Sequence, residues 1–156
     1  MEGLIPMLKK PKSFGRWDAY VVIVTSQRTI FAQLTSKMLK DAAMEAQRKG
    51  KEEGKGFFSR WADQIKATTA YSERYWNIPP EEALNENTGN FAILNQEIKS
   101  IEIKKKRHSG WDQETEQTTT EVKINSTVKR EAFSLDGYSS NTVNLLKSIF
   151  GDRVKT

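Results

Sequence analysis

Chemistry at a protein site needs a nucleophile with its base, or a set of metal ligands, converging on one point. This sequence is poor in both. It has no cysteine and a single histidine, His108, which removes thiolate chemistry and leaves zinc without a ligand set. His108 stands beside Arg107 in a polar stretch, where a histidine without positioned partners reads as solvated rather than catalytic. The carboxylate pairs Glu52-Glu53 and Glu81-Glu82 are chain neighbours, so on a helix they diverge around the axis and do not meet at one substrate atom. Asp112, Glu114 and Glu116 share a face if that segment is extended, yet the glycine and terminal glutamate of a calcium loop are missing. No glycine-rich phosphate loop occurs. These residues predict a protein that is not an enzyme and that uses no cofactor or metal.

Cations and aromatic residues are the stronger candidates for function. The formal charge is +5, and the excess lies in the first quarter of the chain. Residues 1–40 hold seven cations, Lys9, Lys10, Lys12, Arg16, Arg28, Lys37 and Lys40, against two acids. Lys9, Lys10, Lys12, Arg16 and Arg28 are therefore the residues expected to bind a ligand or an anionic surface. The plainer reading of the same cluster is a solvated face. A second candidate is Phe57, Phe58, Arg60 and Trp61, with Lys51, Lys55 and Lys66 nearby. Aromatic anchors with basic neighbours suit the interface of an anionic bilayer, whereas a stripe at helical spacing also serves to cover a sheet. The third is Lys104-Lys105-Lys106-Arg107, close to Trp111. With the N-terminal cluster it opens a nucleic-acid reading, although the acids between 112 and 121 can neutralise it within one loop.

The elements that must position these residues follow from apolar periodicity. At 156 residues with 37% hydrophobic side chains, the chain is long enough for one domain with its own core. Tyr20-Val21-Val22-Ile23-Val24-Thr25 and Thr29-Ile30-Phe31-Ala32 predict a strand pair around a short polar turn, or one long bent strand. Both faces of the first strand are apolar, so another element must cover the second face. Leu39, Ala42, Ala43 and Ala46 predict a helix from Thr35 to Lys49, ended by Gly50. A second stripe through Phe58, Trp61, Ile65, Thr69, Ser72 and Trp76 runs to Pro79-Pro80, where proline stops it. Pro80 then suits the first position of a short helical turn.

Phe91 to Leu94 and Ile98 to Ile103 predict strands, and residues 104–120 an exposed loop. Glu121 to Ile124 and Glu131 to Leu135 predict a hairpin joined by Asn125 to Arg130. A cap at Ser139 or Ser140, the stripe Val143, Leu146, Ile149 and Phe150, and Gly151 as stop predict a final amphipathic helix. Met1 to Lys12 lack the apolar run of a signal peptide, and no stretch of 18 apolar residues occurs. The expected location is the cytoplasm, with peripheral membrane contact.

The stretch from Val22 to Phe31 resembles the first conspicuous hairpin of bacterial pleckstrin-homology-like (PH-like) and GRAM-type domains, with a Thr-x-x-Arg turn between two apolar strands. Gln96 to Ile103 resembles a later strand of that family, and Leu145 to Phe150 its closing helix. The resemblance implies an α+β fold: a bent antiparallel sheet or PH-like barrel closed by a C-terminal helix, here one domain over 1–156 with a two-helix insertion at 35–86. It implies a binding role without a catalytic residue. The expected function is a non-catalytic binding module that docks on a partner protein or an anionic membrane surface. The alternative is a nucleic-acid-binding protein that uses the N-terminal and 104–107 clusters.

Overall fold

The computed structural model describes residues 1–35, 37, 38, 40, 41, 44, 48, 72–109 and 116–156. Its strands are β1 (Gly3–Pro11), β2 (Trp17–Val24), β3 (Arg28–Leu34), β4 (Phe91–Leu94), β5 (Ile98–Ser109), β6 (Glu116–Ser126), β7 (Arg130–Asp136) and β8 (Val154–Lys155). The helices α1 (Pro80–Asn85) and α2 (Ser140–Phe150) accompany them, with short 3-10 turns between. All eight strands form one sheet in the order β4-β3-β2-β1-β7-β6-β5-β8. Every pairing is antiparallel except β5 with β8, which is parallel.

The α+β class and the C-terminal helix agree with expectation, but β4 and β8 remain as sheet edges, so the barrel is not closed by strand pairing. The sheet instead wraps one face around a core. Ile93 of β4, Phe31 of β3, Tyr20, Val22 and Val24 of β2, Ile5 and Leu8 of β1, Phe133 of β7, Val122 of β6 and Ile101 of β5 belong to one buried cluster, sealed by Val143, Leu146 and Phe150 of α2. Phe31 stacks between Phe91, at 4.6 Å, and Phe133, at 5.3 Å. This joins β4 to β7 across the fold.

α2 is capped as its sequence requires: Ser139 accepts a hydrogen bond from the Thr142 amide, and Gly151 at φ 56 ends it. The helix lies close on β1, since a side chain at Gly3 would stand 2.6 Å from the Leu145 methyls. The opposite face of β2 and β3 presents Ala19, Val21, Ile23, Ile30, Ala32 and Leu34. Tyr75 and Ala83 cover it, with Met38, Ile78 and Leu84 at the margin. Expectation had placed Trp76 on this stripe, but Trp76 is 53% exposed and Tyr75 is fully buried. The chain at Ser72–Trp76 is a 3-10 helix, whose three-residue turn shifts the inward position away from that of an α-helix.

One further expectation is corrected: within 104–120, residues 104–109 and 116–120 are strand, because β5 and β6 pair from Lys104↔Glu121 to Ser109↔Glu116. The N-terminal stretch, for which the sequence predicts no element, is β1; a bulge between Ile5 and Leu8, with Met7 at φ 57, interrupts its alternation. Lys37, Met38, Lys40, Asp41, Met44 and Arg48 are helical. The remainder of the 35–86 insertion up to residue 71, with Phe57, Phe58, Arg60 and Trp61, lies outside the described residues, as do Trp111, Asp112 and Glu114.

The corner between β4 and β5 turns on Asn95, which is 6% exposed. Its Oδ1 accepts from the buried Thr29 hydroxyl at 2.8 Å and its Nδ2 donates to the Thr25 carbonyl at 2.7 Å. Its amide donates to the Gln27 carbonyl at 2.9 Å, and its carbonyl accepts from Arg153 Nη1 at 2.8 Å. An alanine would leave buried groups without partners, each costing about 1–3 kcal/mol. Asn95→Ala should lower stability by about 2–4 kcal/mol in urea unfolding; a loss under about 0.5 kcal/mol, the range of ordinary surface changes, would contradict this account of the corner.

Candidate functional site: a cationic and aromatic rim

The sequence between β1 and β2, Lys12-Ser13-Phe14-Gly15-Arg16, has the composition of a turn with one large apolar residue inside it. The Lys12 amide donates to the Arg16 carbonyl at 2.7 Å, closing a tight loop. Phe14 occupies the tip at φ 62, ψ 37. Left-handed backbone is costly for a bulky side chain, and such strain concentrates where a residue is held for function. Here it holds Phe14 98% exposed. Trp17, at the start of β2, is 47% exposed and carries the Lys9 ammonium 4.6 Å from its ring centre.

Strand register places a second loop beside the first. β1 and β7 run antiparallel with Lys9 opposite Ser134, so the end of β1 approaches the start of β7. The Lys10 ammonium meets the Glu131 carboxylate at 2.6 Å. The β6–β7 turn therefore shares this end of the sheet and contributes Val128, 69% exposed, with exposed Lys129 and Arg130. The result is a rim carrying Phe14, Trp17 and Val128 among Lys10, Lys12, Arg16, Lys129 and Arg130.

Acids offset part of this charge. Lys12 pairs with Asp18 at 2.9 Å, and Lys129 reaches Glu131 at 3.3 Å while lying 3.5 Å over the Phe91 ring. Arg16 and Arg130 have no carboxylate partner among the described residues. Of the five cations expected to act together, Lys10, Lys12 and Arg16 meet at the rim. Lys9 lies nearby but its ammonium also bonds Asp136 at 2.7 Å. Arg28 does not join them: it begins β3 at the far end of the β2–β3 hairpin, pairs with Glu81, and lines an open cleft of about 350 Å³ with Thr25, Gln27 and Leu94. Phe14, Val128 and Arg130 escaped the sequence reading; the signal for Phe14 was an apolar residue inside a Lys-Ser/Gly-Arg turn.

Elsewhere, His108 is exposed on β5, 3.1 Å from the Thr119 hydroxyl. Among the described residues no group of three or more histidine, cysteine or acidic side chains could hold a metal ion, and no helix is long and apolar enough to cross a membrane.

Behind the rim the ion pairs meet a buried phenol. Hydrogen bonding to Glu131 raises Lys10 above its ordinary 10.5, and burial raises Tyr20 above its ordinary 10.0. Both groups hold their protons more tightly when folded, so their stabilisation is full below the unfolded values and is lost as pH rises through the folded ones. Thermal stability should therefore fall on the alkaline side of about pH 10. Tyr20→Phe should flatten that fall, as read from melting temperatures between pH 8 and 11; an unchanged slope would contradict it. Comparisons of this chain with models of protein families, with curated proteins and with solved structures return no match.

Proposed function

We propose that this protein is a non-catalytic binding module that docks peripherally on an anionic membrane through the rim of the β1–β2 loop and the β6–β7 turn. The observation that carries this reading is Phe14, a large apolar side chain 98% exposed on a strained loop and flanked by Lys12 and Arg16. An apolar residue so placed is unfavourable in water, and its transfer into acyl chains lowers the free energy. Cations around it gain from the surface potential of acidic lipids. The two terms act at the same depth, since charged heads stay at the headgroups while the ring inserts.

The strand order also supports the PH-like reading, because two antiparallel meanders, β1–β4 and β5–β7, joined through β1 and β7, wrapped around a core and capped by a C-terminal helix fit the bent antiparallel sheet that resemblance implies. Binding modules of this kind present their ligand sites on loops at the ends of the sheet, and the rim is such an end.

Co-sedimentation with vesicles of phosphatidylserine and phosphatidylcholine, against phosphatidylcholine alone, tests this directly. Binding should require phosphatidylserine and weaken with salt. Phe14→Ser should weaken it about tenfold or more, and Arg16→Gln about fivefold, with melting temperatures unchanged. Failure of the wild-type chain to bind either vesicle, at low salt, would overturn the proposal.

A further inference from the structure

A second surface lies away from the rim, along the outer edge of β5. β5 is 12 residues long, and β6 pairs with it along its inner edge from Ile98 to Ser109. The outer edge is covered by β8 at Ile101 and Glu102, in the register Ile101↔Val154 and Glu102↔Lys155. Beyond Glu102, no strand among the described residues pairs with it. Half of the backbone N–H and C=O groups from Ile103 onward therefore point outward, in the geometry that β8 already uses two residues earlier.

The side chains along this open edge are of one sign. Lys104, Lys105, Lys106 and Arg107 are consecutive and all exposed. Ile101 and Ile103 face the core, so alternation puts Lys105 and Arg107 on the core side of the sheet and Lys104 and Lys106 on the other. Lys106 bonds Glu121 at 2.6 Å, and Lys105 lies 5.3 Å from the Tyr138 ring centre. Lys104 and Arg107 have no carboxylate partner among the described residues.

Open strand edges invite unwanted pairing, and lysines along them keep like edges apart. A second copy would bring cation against cation. The same charges select an acidic strand, because opposite charges on directly paired residues attract and cations on both faces meet carboxylates of either parity. We propose that the β5 edge from Ile103 to Arg107 receives an extended acidic segment of a partner protein as an added strand, held by backbone hydrogen bonds and by Lys104 and Arg107.

This site is independent of the rim. β5 pairs Ile98 with Ser126 at the rim end, so Arg107 lies toward the opposite end, where α2 begins. A capped eight-residue peptide of alternating glutamate and valine, titrated into the full ¹⁵N-labelled chain, is the probe. Binding should shift the amide resonances of residues 103–107 and slow their hydrogen exchange. N-methylation of alternate peptide residues keeps the charge but removes strand donors, and should weaken binding about tenfold or more. Lys104→Glu with Arg107→Glu should abolish it, whereas Phe14→Ser should leave it unchanged. Equal binding of the N-methylated peptide, tighter binding of single-stranded DNA of the same charge, shifts confined to the rim, or no shifts at all would each overturn the proposal.

Discussion

The constraint on which the rest of the structure depends is that β2 is apolar on both faces. Tyr20, Val22 and Val24 point one way and Ala19, Val21 and Ile23 the other, and all six are buried. A strand of this kind cannot lie on the surface of an antiparallel sheet, where one face ordinarily meets water. It must stand at the centre with covers on both sides. The first cover is the sheet itself, which wraps β4 and β7 around Phe31 and receives α2. The second is the segment bearing Tyr75 and Ala83, tied down by Tyr75 Oη, which donates to Glu86 Oε2 at 2.8 Å, and by Asn90, whose Nδ2 donates to the Ala83 carbonyl at 2.8 Å. With both faces closed, the places left for recognition are the loops at the ends of the strands and the edges of the sheet.

That division explains why the N-terminal cations act differently from one another. Those within strands are held by acids on neighbouring strands, as Lys9 is by Asp136 and Lys10 by Glu131. Pairing of this kind sets register more than it offers charge to a ligand. Arg16, outside any strand, keeps its charge for the surroundings, and the loop that carries it also carries Phe14. A cluster that reads as one patch along the chain is thus sorted by the fold into internal ties and an outward-facing group.

The legible parts of the fold are those whose burial leaves a pattern in the chain. β2 and β3 stand out as unbroken apolar runs because both of their faces are covered, and β7 and α2 show the period of two or of about three and a half that one buried face imposes. β1 was hidden by Pro6, Pro11 and two lysines, and its bulge at Met7 breaks the alternation that would have revealed it. The outer halves of β5 and β6 carry the pattern of a loop because beyond Ile103 and Val122 Thr120 alone is buried among the described residues. Backbone pairing holds them with little apolar pattern to show it. The rim was illegible for another reason. Phe14 and Val128 are separated by most of the chain and are brought to one end only by the pairing of β1 with β7, which no local pattern encodes.

The central claim is that the β1–β2 loop and the β6–β7 turn meet the membrane together, with Phe14 at the tip. The most direct measurement is paramagnetic broadening of amide resonances by nitroxide-labelled lipid in phosphatidylserine-containing nanodiscs. The account predicts broadening concentrated at residues 12–17 and 127–130, with β5 from Ile103 to Arg107 spared. Broadening along β5 with the two loops unaffected, or none anywhere, would contradict it.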